Sequence, residues 1–265
     1  MGRPPDLATL GAAAAVAAFL VAFIKNAIGG GIGLVVTPIL TLVLPPRTVL
    51  GLTAILLNLA NPFALRFFWR RWDGPLVRVL LPTTLAGILA GGYAMSFLSD
   101  AALRRMIGLA ALAGALFQLG VLAWRSTRPV PVTPFGSDPG REALAPRGTL
   151  AGGMAVGLVS GVASVAANSG GLLVGPYLAG LGLSNASVVG TGTAVVVVAD
   201  LVKVVTYGQI GFLTWQLLAV ALASVPLLAL GAWLGYRLNR RLPRMVVTLA
   251  LIGIAIIGSL RLLLT

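Results

Sequence analysis

The sequence predicts an all-α polytopic membrane protein made of two inverted-topology repeats, and three observations support this fold class. Hydrophobic residues make up 58% of the 265 residues and charged residues only 9%, too little polar surface for a soluble globule. The apolar runs recur as two similar sets of about five segments along the chain. A glycine-rich stretch interrupts each set after its first run, at residues 29–33 and 168–171.

Charge and composition exclude several classes of function. The formal net charge is +13, but the basic residues cluster between apolar runs, where the positive-inside rule places them, so nucleic acid is not expected as a partner. The chain has no cysteine and no histidine, which excludes disulfides, thiol chemistry and a Ser-His protease. No cluster of acidic residues predicts a metal site, so we expect neither an enzyme nor a cofactor.

The first repeat occupies residues 1–124. Residues 7–24 predict its first helix, and not a signal peptide, because the matching run in the second half lies mid-chain. Residues 34–44 are about half as long as a bilayer-crossing helix and predict a half-helix that is re-entrant or part of a broken span. Three further spans are predicted at residues 48–65, 76–98 and 103–124.

The second repeat follows a hydrophilic, proline-rich stretch at residues 125–147, which predicts a cytoplasmic linker. Residues 148–265 then repeat the plan. Their predicted segments are residues 148–167, 172–183, 187–207, 212–236 and 244–264. Gly33 and Pro38 match Gly171 and Pro176 at one common separation along the chain.

The arginines predict the orientation of the two repeats. The basic loop at residues 66–73 corresponds to an uncharged loop at 207–211, whereas the short turn before Arg104 corresponds to the basic residues 237–244. Equivalent loops therefore face opposite sides of the membrane. This pattern predicts inverted repeats in a multi-pass protein of the inner (plasma) membrane, with both termini extracytoplasmic.

Inverted repeats with a broken helix in each half are typical of secondary transporters, whose substrate sites lie where the broken helices meet. Helix N-termini near Gly33 and Gly171 offer unpaired N–H groups, and Lys25 adds a positive charge, so the expected substrate is a small anion. The candidate substrate-binding residues are Lys25, Asn26, Gly29, Gly30, Gly31, Gly33, Asn58, Asn168, Ser169, Gly170, Gly171, Thr191 and Thr193.

Each of these assignments has a structural alternative. The glycines can serve close helix packing, as expected for Gly87 and Gly91. Lys25 can extend to the lipid headgroups from a helix end, and the serine and threonines can bond to backbone carbonyls of their own helices.

Asp200 is the one acidic residue well inside an apolar run, and Lys203 follows it at i+3 spacing on the same helix face. An ionisable residue within the membrane is a functional candidate, so Asp200 and Lys203 are predicted to couple a proton to anion movement. The alternative is an ion pair held for structure.

The segment at residues 25–38, with its Gly-Gly-Gly-Ile-Gly core and following Pro38, resembles the TauE/SafE family of sulfite and organosulfur-anion exporters. Its echo at residues 168–176 and the paired spans extend the resemblance over nearly the whole chain. The resemblance implies export of sulfite, sulfoacetate or related sulfur compounds, and some members are implicated in uptake. The second motif departs from the first, since Asn168 and Ser169 replace two glycines.

The sequence thus predicts a secondary transporter of a small sulfur-containing anion in the lipid bilayer, with export and proton coupling expected. An anion channel, or the permease subunit of a multi-component transporter, fits the same broken helices. The sequence leaves open the sulfur compound, the direction of transport, the coupling ion and the oligomeric state, a homodimer included.

Overall fold

The computed structural model describes residues 6–28, 32–67, 71–127, 148–239 and 244–264. Within these ranges the regular structure is entirely α-helical. Among the described residues, six helices are long and apolar enough to cross a membrane. A bent pair of shorter helices brings the number of spans to seven if the pair is counted as one span. The predicted all-α polytopic fold class is confirmed.

The first half contains five helices, which are α1 (Leu7–Ile28), α2 (Ile32–Thr41), α3 (Pro46–Phe67), α4 (Gly74–Ser96) and α5 (Asp100–Thr127). At 10 residues, α2 is about 15 Å long and cannot span a bilayer alone, as predicted for the half-helix. It ends at Thr41, before the expected end at residue 44. Helix α5 continues to Thr127, and the remainder of the predicted linker lies outside the described residues.

The second half contains α6 (Gly148–Ala167), α7 (Gly171–Gly180), α8 (Asn185–Gln209), α9 (Trp215–Ala223), α10 (Val225–Asn239) and α11 (Arg244–Leu264). Like α2, α7 has only 10 residues. The half-helix therefore recurs at the expected place after the first helix of the set.

The segment predicted at residues 212–236 is not one continuous helix, because α9 and α10 meet at a 50° bend. Pro226 lies at the start of α10 and has no N–H group to continue the helical ladder, so the helix breaks at Ser224. The matching Pro82 lies inside the continuous helix α4. The same residue thus has different consequences in the two halves.

Helix α3 is enclosed by the other helices. Residues 49–57 are all buried. The span predicted at residues 48–65 lies within the continuous helix α3. Its polar side chains, among them Thr53, Asn58 and Asn61, face other helices and not lipid.

Each half packs its fourth segment on the first helix of the other half: α4 packs on α6, and α10, the second part of the bent pair, packs on α1. Glycines allow the close approach: a Cβ atom on Gly87 would lie 2.2 Å from the carbonyl oxygen of Leu158, and one on Gly231 would lie 2.3 Å from that of Phe19. Gly235 likewise meets Phe23, so the paired helices run in the same direction. Gly87 therefore serves close helix packing, as the sequence predicted for this residue.

Helices α3 and α8 lie against each other in opposite directions. Gly51 at the start of α3 approaches Phe212, just beyond the end of α8, and Asn58 in the middle of α3 contacts Asp200. Gly190 near the start of α8 approaches Arg71, beyond the end of α3. This pairing carries the polar residues of both helices to one interior region.

Candidate functional site

The two interrupted motifs touch each other. A Cβ atom on Gly33, at the start of α2, would lie 1.9 Å from the carbonyl oxygen of Ala167 and 2.4 Å from that of Asn168. Only a residue without a side chain fits this approach of backbone to backbone. The positive N-terminal end of α2 therefore faces the last carbonyl groups of α6.

Asn168 turns the chain between α6 and α7. Its φ angle is 52°, a left-handed conformation that asparagine tolerates better than most side chains. Its Nδ2 donates to Thr53 Oγ1 at 2.7 Å and to Thr37 Oγ1 at 3.4 Å, which ties the second motif to α3 and α2. Within the described structure its Oδ1 atom is buried without a hydrogen-bond partner.

The rest of the second motif is held by backbone contacts. Ser169 Oγ donates to the Ala163 carbonyl at 3.1 Å, which is the alternative considered for the hydroxyl groups. The Gly170 carbonyl accepts a hydrogen bond from Ser160 Oγ at 2.7 Å. Gly171 begins α7, and a Cβ atom there would make an ordinary 3.5 Å contact with Val196.

A chain of charged and amide groups lies beside these motifs. Lys25 Nζ, in the last turn of α1, donates to Asn61 Oδ1 on α3. Asn61 Nδ2 donates to Asp200 Oδ2 at 3.0 Å, and Asp200 Oδ1 accepts from Lys203 Nζ at 2.7 Å. Lys203 Nζ also reaches Ser164 Oγ, in the last turn of α6, at 3.4 Å. The chain of contacts thus joins the ends of both interrupted helices.

This buried chain has an excess of positive charge. Asp200 is 4% exposed and Lys203 0%, and Asn61 between the charges is 3% exposed. With both lysines and the aspartate ionised, the three charges sum to +1, and a buried excess charge needs a counter-ion or hydrogen bonds. Lys25 and Lys203 are the two lysines of the whole chain, and all of its remaining basic residues are arginines.

Two more of the predicted site residues lie on the same helices. Asn58 Nδ2 donates to the backbone carbonyls of Asp200, at 2.9 Å, and Ala54, at 3.0 Å. Asn26, which is exposed, donates to the Ala22 carbonyl of its own helix at 2.8 Å. Lys25 and Asn58 are half-exposed, so the cluster is open on the side where these residues lie.

The structure places Thr191 and Thr193 elsewhere. Thr191 Oγ1 accepts a hydrogen bond from the Asp73 N–H at 2.8 Å, at the beginning of α4. Along α8, Thr191 and Thr193 lie nine and seven positions before Asp200, which is about 13.5 Å and about 10.5 Å, and in the described structure neither threonine is hydrogen-bonded to the charged cluster. Gly29, Gly30 and Gly31 lie outside the described residues.

Sequence reasoning suggested that Asn61 lines the same cavity as Asp200 but did not name it as a binding residue, and it did not assign Ser164, Thr37 or Thr53 to the site. Asn61 and Ser164 acquire their roles only when α3 and α6 meet α8, which no local pattern reveals. The composition contained one signal of the site. All basic residues except two are arginines, and the two lysines both lie in apolar runs. Among the described residues no group of three metal-ligating side chains comes together.

Comparison with known proteins gives one match. The model of the family described as sulfite exporter TauE/SafE matches residues 14–262. No curated protein and no solved structure matches the chain. The matched range includes both interrupted motifs and every residue of the charged cluster.

Proposed function

The chain belongs to the sulfite exporter TauE/SafE family, a family of membrane transporters, and from this membership we propose that it is a secondary transporter of a small sulfur-containing anion such as sulfite or a sulfonate. The proposal includes export across the inner membrane and coupling to protons. It assigns the binding role to Lys25, Gly33 and Asn168 and their neighbours, and the proton-coupling role to Asp200 with Lys203.

One observation carries this proposal: the buried Asp200 and Lys203 and the partly exposed Lys25 are joined by one chain of contacts where both interrupted helices end. A formally positive interior attracts an anion, and the amide and hydroxyl groups around it replace water lost on binding. The apolar surroundings strengthen all of these interactions.

The directions of the helices support the inverted arrangement of two repeats, residues 1–124 and 148–265, joined by a cytoplasmic linker. In parallel repeats the equivalent helices α3 and α8 would run in the same direction, but they run in opposite directions. The first helix of each half runs parallel to the fourth segment of the other half, α1 with α10 and α6 with α4, which is compatible with inversion. We propose both termini on the extracytoplasmic side, following the arginine-rich loops.

Transport by the purified chain in liposomes tests the proposal. With a pH gradient across the membrane, the wild-type protein should accumulate radiolabelled sulfite or a sulfonate against its concentration gradient. Asp200→Asn should abolish this accumulation but leave anion exchange intact, because the variant keeps the site and loses the proton acceptor. Asp100→Asn is the matched control, since Asp100 makes an exposed ion pair with Arg47 far along the chain from the cluster.

Three results would contradict parts of the proposal. Downhill flux without accumulation would indicate an anion channel. A silent protein would indicate a permease subunit that needs a partner. Unchanged pH-driven accumulation in Asp200→Asn would remove Asp200 from the coupling mechanism.

A further inference from the structure

We infer that Asn61 couples proton uptake by Asp200 to release of the Lys25 ammonium for an anion. This inference rests on the proposed function and assigns Asn61 as a positioning residue within the same site. Asn61 joins the two halves, since Lys25 and Asn61 belong to the first half and Asp200 and Lys203 to the second.

The chemistry of its partners fixes the orientation of the Asn61 amide. A lysine ammonium has only donors and an ionised carboxylate only acceptors, whereas an amide has one group of each kind. The oxygen of Asn61 must therefore face Lys25 and its nitrogen must face Asp200, as observed. Because Asn61 is 3% exposed, water cannot replace either partner without cost.

Lys25 reaches the carboxylate only through this amide. Among the described residues Lys203 pairs directly with Asp200, whereas Lys25 makes no direct ion pair with Asp200. The position of the Lys25 ammonium thus depends on the orientation of Asn61, and that orientation depends on the charge of Asp200.

Protonation of Asp200 reverses the orientation that the Asn61 amide must adopt. Oδ1 faces Lys203, which can accept no hydrogen bond, so the carboxyl proton is accommodated on Oδ2, facing Asn61. The proton comes from water and forms an O–H bond at Oδ2, and the hydrogen bond from Asn61 Nδ2 breaks. The amide turns to present its oxygen to the new O–H, which leaves its nitrogen facing the Lys25 ammonium.

Lys25 then faces a donor and has lost its acceptor. At the same time the formal charge of the cluster rises from +1 to +2, because the carboxylate has been neutralised. Both changes favour an anion beside Lys25. Proton and anion therefore bind with positive cooperativity, and the coupling is reciprocal.

The other groups around the carboxylate do not supply this link. The charged and titratable groups nearby are Lys25 on α1 and Lys203 and Tyr207 on α8. Tyr207 donates its hydroxyl proton to the Val165 carbonyl at 2.6 Å and is fully buried. Among the described residues, α3 and α6 contribute the neutral side chains of Asn58, Asn61 and Ser164.

The test is the pH dependence of anion affinity in the purified full chain. The probes are thiosulfate and ethanesulfonate, whose own charges stay constant between neutral and mildly acidic pH. For the wild type, calorimetric titration should give affinity for at least one probe that rises about fivefold or more on acidification. Asn61→Leu, similar in size but without donor or acceptor, should bind with nearly equal affinity at both pH values.

Asn58→Leu is the matched control. Asn58 lies one turn away on α3 and hydrogen-bonds to the backbone carbonyls of Asp200 and Ala54 but not to the Asp200 carboxylate. It should keep the wild-type ratio of affinities, whatever its absolute affinity. Asn61→Ala provides a second variant if leucine prevents folding.

The outcomes separate the two proposals. An unchanged affinity ratio in a folded Asn61 variant, or a wild type that binds an anion without pH dependence, overturns the coupling role and leaves the proposed function standing. A wild type that neither binds nor transports the probes overturns the proposed function and the role of Asn61 with it.

Discussion

Lys25 and Lys203 differ from the other basic residues in chemistry as well as in position. Arginine has a rigid, planar guanidinium group that suits exposed ion pairs, as in the contact of Arg47 with Asp100 at 2.9 Å. A lysine ammonium is compact and can move between partners by rotating its side chain. A group that must exchange a protein acceptor for an anion needs this mobility.

The contact between Asp200 and Lys203 follows from the sequence, because i+3 spacing places both on one helix face, and the ion pair considered as the structural alternative is present at 2.7 Å. The role of Asn61 does not follow, since its partners are 36 and 139 positions away along the chain. Local spacing predicts contacts within a helix. It does not predict which polar side chain of another helix completes them.

At this scale we predict that Lys25→Met lowers the affinity for the transported anion roughly tenfold to a hundredfold, the loss expected for one hydrogen bond to a charged group. Methionine keeps the length of the side chain and removes the charge. Lys25→Arg, which keeps the charge, is the control and should lose less. Titration of purified protein with sulfite, thiosulfate and sulfonates measures the effect, and unchanged affinity for every one of them would remove Lys25 from the site.

The interrupted helices are the elements that the sequence predicts best. Glycines between two apolar runs correctly predict that α1 and α6 end there and that a 10-residue helix follows each of them. The left-handed residue of the second motif is Asn168 and not one of its glycines. The Asn168 side chain also donates a hydrogen bond to Thr53, a contact that glycine cannot make.

Proline shows the limit of prediction for single elements. Pro82 and Pro226 occupy matching positions, yet only the second half is bent there. A proline removes one hydrogen bond in either helix, and the packing of the surrounding helices decides whether the helix bends. Sequence alone does not specify that packing.

The meeting of α2 with α6 gives a prediction for Gly33→Ala. The new methyl group would lie 1.9 Å from a backbone oxygen, which no change of rotamer relieves, so the two motifs must move apart. We expect a loss of about 1–3 kcal/mol of stability and a lower thermal midpoint in detergent. Gly175→Ala on α7 is the control, because no atom lies within 4 Å of its added Cβ. Equal midpoints for the two variants would show that the motifs are not in contact.

For the whole molecule, the opposed directions of α3 and α8 explain how one site forms from two halves. Helices that cross in opposite directions place their midpoints side by side, so Asn58 and Asn61 meet Asp200 near the middle of both helices. The different charges of equivalent loops predicted that equivalent helices run in opposite directions. Which side chains meet in the core could be seen only in the folded chain.

The central claim is that an anion binds where the two halves meet, beside Lys25 and Lys203. Diffraction from crystals grown with selenite, the selenium analogue of sulfite, tests it most directly, because anomalous scattering locates the selenium atom. We predict a peak within hydrogen-bonding reach of Lys25, near Gly33 and Asn168, that disappears in Lys25→Met. A peak only at surface arginines such as Arg71 or Arg237, with none beside the lysines, would contradict the claim.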